Sequence, residues 1–204
     1  MTTLIADPAV AERLIAERRA RGWDRKDEVW DGVYIVMPDP NVDHQFLVGR
    51  LTAVFSEVIH TPAGGVVYPG LNLSDRTDDW KQNFRCPDVA VFLAGNDAEV
   101  FEAHICGPAD FLVEIVSPGD KSREKLDFYG DLRVRELLLI DRYPWSLELY
   151  RHNGSELVPA GRSSAEHSEV IASAVLPISF QLLSAAPRPE IRMAEIGGAR
   201  TWTA

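Results

Sequence analysis

The sequence predicts an α/β fold, a mixed β-sheet flanked by α-helices with extra β-hairpins. Apolar residues over 47–58 recur at helical spacing. The segments 110–116 (DFLVEIV) and 135–141 (RELLLID) are short, nearly unbroken apolar runs, as in strands buried on both faces. Asp31-Gly32 and Asn153-Gly154 mark hairpin turns. The resulting order of helix, strands, helix, strands, helix, strands fits a sheet covered by helices.

Asp7-Pro8 reads as an N-cap and first-turn proline, and Val10, Leu14 and Ile15 continue it as a short amphipathic helix over 8–20. The basic, polar stretch 18–26 ends that helix and turns. Residues 29–37 (VWDGVYIVM) give two short strands around Asp31-Gly32, and 38–41 a loop. A second helix starts at about Asp43, buries Leu47, Leu51, Val54, Phe55 and Val58, and ends before Thr61-Pro62. Residues 65–73 form a strand, 75–82 a polar loop, 84–92 (FRCPDVAVF) a strand bent at Pro87, and 94–107 a linker with a helical turn. The apolar strand 110–116 closes at Ser117-Pro118-Gly119-Asp120, where Asp120 caps a helix from about Lys121 to Tyr129 that Gly130 stops. Segment 135–141 is a further buried strand, 146–151 pairs with 157–160, and 170–183 gives a last strand near Pro177. The expectation is a single domain over 1–204, with a helical N-terminal extension over 1–27 and a weakly patterned, mobile tail over 185–204.

The chain has 204 residues, 46% of them hydrophobic and 25% charged, and a formal net charge of −10. That balance argues against tight non-specific binding to DNA or to anionic membranes. It is compatible with metal-binding carboxylates, whose charge bound cations neutralise, and with a local basic strip. Cys86 and Cys106 form no CxxC pair and no disulfide framework. The N-terminus carries acids and bases where a secretory signal has an apolar core, and no apolar run approaches the ~18 residues that span a bilayer. A reduced cytoplasmic protein without membrane contact is expected.

Glu114 stands among Phe111, Leu112, Val113, Ile115 and Val116. An ionised carboxylate there costs several kcal/mol unless a basic partner, protonation or a metal ion offsets it. Asp88 follows Pro87 and opens the run Val89-Ala90-Val91-Phe92; taken alone it is an ordinary turn residue. The stretch between Asp88 and Glu114 is long enough for two neighbouring strands joined by a loop, with both acids at one edge. Two such acids repel and call for a cation, and hard oxygen ligands with room for water suit Mg²⁺ or Mn²⁺. Lys121 and Lys125 share a helix face beyond Glu114. A lysine beside a metal-bound water orients it and offsets phosphate charge, although an exposed lysine is the default reading of either one.

These residues resemble the PD-(D/E)XK nuclease superfamily and, within it, the putative restriction endonuclease domain family of bacteria. The resemblance runs over about 28–183 through EVWDG (28–32), His44 ahead of a helix, CPDVAVF (86–92), DFLVEIVSPGD (110–120), Lys125, Tyr129 and RELLLID (135–141). It implies that Asp88 and Glu114 bind one metal ion with the carbonyl of Ile115, and that Lys125, or else Lys121, positions the attacking water. It further implies that Glu28 is an accessory acid, and that His44 faces the cleft; a histidine capping its helix is the simpler reading of His44. The superfamily pattern puts lysine at position 116, where this chain has Val116. The implied reaction is hydrolysis of a phosphodiester in nucleic acid, DNA first, by a homodimer with paired sites.

The main rival is an inactive member of the same fold that binds DNA or a protein, favoured by Val116 and the acidic charge. A serine acyl-transfer reading rests on Ser122-Arg123-Glu124-Lys125, an S-x-x-K string without its S-D-N and K-T-G partners. A zinc reading rests on His104 and Cys106 with Cys86 or His60, and lacks a second closely spaced pair. Arg18, Arg19, Arg21, Arg25 and Lys26 form the densest basic stretch and are expected to meet backbone phosphate or an acidic partner. Trp23, Trp30, Trp80 and Trp145 are candidates for base stacking, with packing as the commoner use.

Overall fold

The computed structural model describes residues 3–59, 64–117, 119 and 121–204. The chain runs through β1 (Thr3–Ile5), α1 (Pro8–Arg21), β2 (Glu28–Trp30), β3 (Val33–Val36), α2 (Val42–Ile59), β4 (Gly65–Pro69), β5 (Leu73–Ser74), β6 (Phe84–Arg85), β7 (Val89–Leu93), β8 (Glu99–Val100) and β9 (Ile105–Cys106). It continues through β10 (Phe111–Ile115), a 3-10 turn (Ser122–Lys125), α3 (Leu126–Asp131), β11 (Glu136–Arg142), β12 (Trp145–His152), β13 (Leu157–Ser164), β14 (Ile171–Ala172), β15 (Ile178–Leu183), β16 (Glu190–Glu195) and β17 (Thr201–Thr203).

Among the described residues the strands form three sheets, in the orders β1-β3-β2-β6-β5-β9-β8, β13-β12-β11-β10-β7-β4 and β14-β15-β16-β17. The six-stranded sheet is mixed, β10 running parallel to β11 and antiparallel to β7, and the seven-stranded sheet is mixed through its parallel β5–β9 pair. Alternation along β10 divides its side chains between two cores. Phe111, Val113 and Ile115 join α2 and the four-stranded sheet, where Phe55, Phe111 and Phe180 pack ring to ring at 5.6, 5.9 and 6.2 Å. Leu112 faces the other way, into a core with Leu73, Phe128 and Tyr129. Glu114 follows Leu112 on that second face, so the apolar run is buried on both sides and the acid with it.

Several local expectations hold. Asp7 Oδ1 accepts from the amides of Ala9 and Val10 and caps α1, and Asp31-Gly32 closes the β2–β3 hairpin with both residues at positive φ. α2 buries the five predicted residues together with Val48 and Ile59.

Other expectations are corrected. The strand read over 65–73 is β4 and β5, which belong to different sheets, and 84–92 likewise divides into β6 and β7. Segment 94–107 carries β8 and β9 and no helix. Val10 is exposed, and Ala11 is the residue α1 buries. The helix read over 121–129 is a 3-10 turn followed by α3, and Gly130 lies inside α3. A Cβ at Gly130 would meet the Leu157 amide at 3.4 Å, so glycine admits β13 there; Arg133, at φ 60°, ends the helix, and its amide donates to the Gly130 carbonyl. The helix end at Thr61-Pro62 and the cap at Asp120 lie outside the described residues. The segment 170–183 is not the last strand, and 185–204 is no loose tail: Ile191 and Met193 of β16 and Trp202 of β17 are buried in the larger core. Trp202 also donates from Nε1 to Glu57 Oε2 at 3.0 Å, which ties the last strand to α2.

Trp202→Ala is therefore expected to lower unfolding free energy by about 3 kcal/mol or more, the usual cost of emptying a large aromatic site. A shift of the urea midpoint to lower concentration measures it; an unchanged midpoint would return 185–204 to the role of a tail.

Candidate active site

The antiparallel register of β10 on β7 ends with Val113 against Val89, which leaves Glu114 and Asp88 at the ends of neighbouring strands. Asp88 is locked there through both its backbone and its side chain. Its amide donates to the Val113 carbonyl at 3.1 Å, and its Oδ2 accepts from the Ile115 amide at 2.9 Å. His44 Nε2, from the first turn of α2, lies 2.9 Å from the other oxygen, and Lys26 Nζ lies 3.9 Å from it. His44 does not cap α2: Asn41 does, with Oδ1 accepting from the His44 amide at 2.9 Å. The cap leaves the imidazole free to turn toward the strand edge.

Glu114 is buried and accepts three contacts, from Lys125 Nζ at 3.0 and 3.1 Å and from the Tyr129 hydroxyl at 2.6 Å. Lys125 Nζ also donates to Glu28 Oε1 at 2.7 Å. Glu28 is fully buried and its oxygens are engaged within the protein, Oε1 also by the Cys86 amide at 2.8 Å and Oε2 by Trp30 Nε1 at 2.7 Å. Glu28 is thus an anchor for the lysine and turns its lone pairs away from the cleft. Tyr129 and the Asp88–Ile115 clamp are parts of the site that residue type alone did not assign a role, and Trp30, read as a candidate for base stacking, holds Glu28.

Burial dominates the electrostatics. It pushes Glu114 up to about 8 from an ordinary 4.5, against the pull of Lys125, and Asp88 and Glu28 push the same way. It raises Asp88 as well, against His44, Lys26 and the Ile115 amide. Burial works against the charge on Lys125, but Glu114 and Glu28 outweigh it and hold the amine protonated. Lys125 is committed to Glu28 and Glu114, and the Ser122–Lys125 string lacks the S-D-N and K-T-G partners that an acyl-transfer site needs.

Asp88, Glu114, Ile115, Lys125, His44 and Lys26 line one cleft of about 50 Å³. Ser117 joins it to an outer cavity of about 270 Å³ lined by Val116, Lys121 and Arg123. Lys121 therefore sits outside the inner cleft, paired with Glu124. The basic stretch is divided too. Arg18 pairs with buried Asp27, Arg19 with Asp24 and Arg21 with Glu17; Arg25 is exposed, and Lys26 reaches the cleft. Trp30 stacks on Arg85, Trp80 on His104, Trp145 packs against the core, and Trp23 is exposed beneath Arg21.

Among the described residues no group of three or more His, Cys, Asp and Glu is arranged to hold a metal ion. This leaves the zinc reading without a site: His104 is sandwiched between Trp80 and Phe101 at 4.7 and 4.6 Å, Cys86 and Cys106 are free thiols, and His60 lies outside the described residues. A two-carboxylate site completed by a carbonyl and water is a different case, and the donors suit it: Asp88 and Glu114 supply hard oxygen ligands at one cleft, and the rise that burial imposes on both carboxyls is one that a bound cation would reverse.

A model of the putative restriction endonuclease family, Uma2, matches residues 15–186. Among solved structures, a putative nuclease belonging to DUF820 from Anabaena variabilis matches with a TM-score of 0.54 and 17% identity, over 67% of this chain and 76% of that one. No curated protein matches the chain. The fold is that of a nuclease-like α/β protein. The chain belongs to the Uma2 family, the putative restriction endonucleases. No helix among the described residues is long and apolar enough to cross a membrane.

Two measurements follow from the ion-pair geometry. Lys125→Met leaves Glu28 and Glu114 buried without their cation, so unfolding free energy falls by about 3–5 kcal/mol. Glu28→Gln in the same chain recovers part of that loss in a double-mutant cycle. In metal-free buffer, the native state keeps on Glu114 a proton that the unfolded state loses near 4.5. This group's contribution to stability therefore falls as pH rises from about 4.5 to about 8. Urea midpoints across that window should lose this slope in Glu114→Gln; a slope equal to that of the wild type would place the titration elsewhere.

Proposed function

We propose that the protein is a metal-dependent endonuclease that hydrolyses phosphodiester bonds in nucleic acid, DNA first, through a PD-(D/E)XK-type site. The observation that carries this reading is that Asp88 and Glu114 stand at the ends of neighbouring strands, both buried with raised pKa values, and line one cleft that holds little more than an ion and its water. Asp88, Glu114 and the Ile115 carbonyl would hold the ion. Bound Mg²⁺ or Mn²⁺ supplies an acidified water and offsets charge on the phosphate.

The chain's own residues do the rest. Lys125 and Tyr129 fix Glu114, and the Ile115 amide and His44 fix Asp88, so neither carboxylate has to reorganise during the reaction. A water oxygen forms a new bond to phosphorus, the ester P–O bond breaks, and the leaving oxygen takes up a proton. The outer cavity beside Ser117 gives the nucleic acid a path past the cleft. A two-fold dimer in the cytoplasm would present paired sites to the two strands of a duplex.

The second reading is a catalytically inactive member that binds DNA or a protein partner; Val116, at the position of the superfamily lysine, favours it. Cleavage of DNA and RNA oligonucleotides with Mg²⁺ or Mn²⁺, beside Mn²⁺ calorimetry, separates the two. The nuclease reading expects turnover that falls roughly 10²-fold or more in Glu114→Gln and Asp88→Ala, with Mn²⁺ binding weakened in both. No Mn²⁺ heat in the wild type, or cleavage that survives both substitutions, would sink it.

A further inference from the structure

We infer that Lys26, rather than Lys125, is the cation that meets the substrate phosphate, an assignment that rests on the nuclease reading above. Among the described residues, Lys26 and Lys125 are the lysines and arginines that line the inner cleft. The side chain of Lys125 is 1% exposed, and its amine is held by Glu28 and Glu114. To touch a phosphate it would have to leave two buried carboxylates, at the cost of uncovering both. A cleft of about 50 Å³ admits an ion and water but not a nucleotide, so the phosphodiester stops at the mouth.

Lys26 stands at that mouth. Its side chain is 33% exposed, and its amine lies 3.9 Å from Asp88 Oδ1, close enough for attraction and too far for a hydrogen bond. Among the described residues it forms no hydrogen bond, so its three donors are available to an incoming oxygen. The fold keeps a lane for it. Gly70, at φ 64° and with its amide on the Asp88 carbonyl, lies under the lysine: a Cβ there would fall 2.3 Å from Nζ and 3.2 Å from Cε. Of the arginines before it, Arg18 pairs with Asp27, Arg19 with Asp24 and Arg21 with Glu17, while Arg25 is exposed and does not line the cleft. Lys26 is therefore the member of the basic stretch delivered to the carboxylates. There it counters their repulsion of a phosphate and donates to a non-bridging oxygen.

The test measures binding apart from turnover. Fluorescence anisotropy of labelled duplex and single-stranded DNA in EDTA, over a salt series, is run on wild type, Lys26→Met and Lys26→Arg, followed by steady-state cleavage with Mg²⁺. Lys26→Met is expected to bind about tenfold more weakly on every sequence and to reduce the salt slope by about 1. Its kcat falls as well, because the contact also serves the developing charge. Lys26→Arg restores most of the binding, and the urea midpoints of all three agree. A wild type that binds and cleaves, beside a Lys26→Met variant with the same affinity, salt slope and kcat, overturns this inference alone. A wild type that neither binds nor cleaves any substrate overturns the nuclease reading, and the role of Lys26 with it.

Discussion

Lys125 joins two carboxylates that belong to different sheets. Glu28 is in β2 of the seven-stranded sheet and Glu114 is in β10 of the six-stranded sheet, and the amine between them comes from the turn before α3. The arrangement is expensive in isolation, because an amine and two carboxyl groups leave water. An apolar joint of the same volume would serve stability as well or better. What the charged joint provides is a carboxylate, Glu114, fixed at a strand end with its partners supplied in advance.

The same logic extends outward from the pair. Trp30 Nε1 holds the far oxygen of Glu28, and Arg85 lies between the rings of Trp30 and Phe128 at 4.5 and 4.1 Å. Arg85 is buried and forms no salt bridge among the described residues; burial pushes its pKa down, while the nearby Glu28 pulls it up. Its guanidinium donates to the Val29 and Phe84 carbonyls and to Asn83 Oδ1. On the other side of β10, the Ile115 amide reaches back to Asp88, so the strand that carries one acid also orients the other. The geometry of the site is thus a consequence of sheet register, and a slip of one residue between β7 and β10 would turn these side chains to the wrong faces.

How much of this could be read in the sequence depended on local signals. The Asp31-Gly32 turn, the α2 stripe and the apolar run around Glu114 are all set by near neighbours in the chain, and the structure has them where they were read. Where two adjacent segments enter different sheets, as at β4–β5 and β6–β7, the local pattern looks like one strand; the break depends on partners far away in sequence. Two-residue strands such as β8 and β9 are too short to show a period, and β16 and β17 alternate over too few residues to stand out from a tail. Gly130 looks like a helix stop because glycine usually is one; its actual reason, the approach of β13, is a tertiary contact. Of the site, Glu114 was legible because it is out of place in an apolar strand. Glu28 and Tyr129 stood out only through the family resemblance, since their roles are made by Lys125 and Glu114.

The position of Val116 ties these points together. A lysine there would share a strand face with Glu114 and emerge beside the two acids. In this chain Val116 lines the outer cavity, and the amine that approaches Glu114 arrives from the following turn. An amine coming from that side enters through the protein interior, and so it is buried and takes Glu28 as a second partner. Its positive charge is then spent on holding carboxylates in place. The mouth of the cleft still faces an excess of negative charge, and the protein as a whole, at −10, does nothing to relieve it. On the proposed reading, a phosphate that approaches is met by a cation reaching in from outside the α3 segment. The loop before β2 does this: its next-to-last residue is Lys26, two positions from the Glu28 that anchors Lys125. The two lysines are thus fixed by one short stretch of chain, one from within and one at the surface, so that displacement of β2 would disturb both at once.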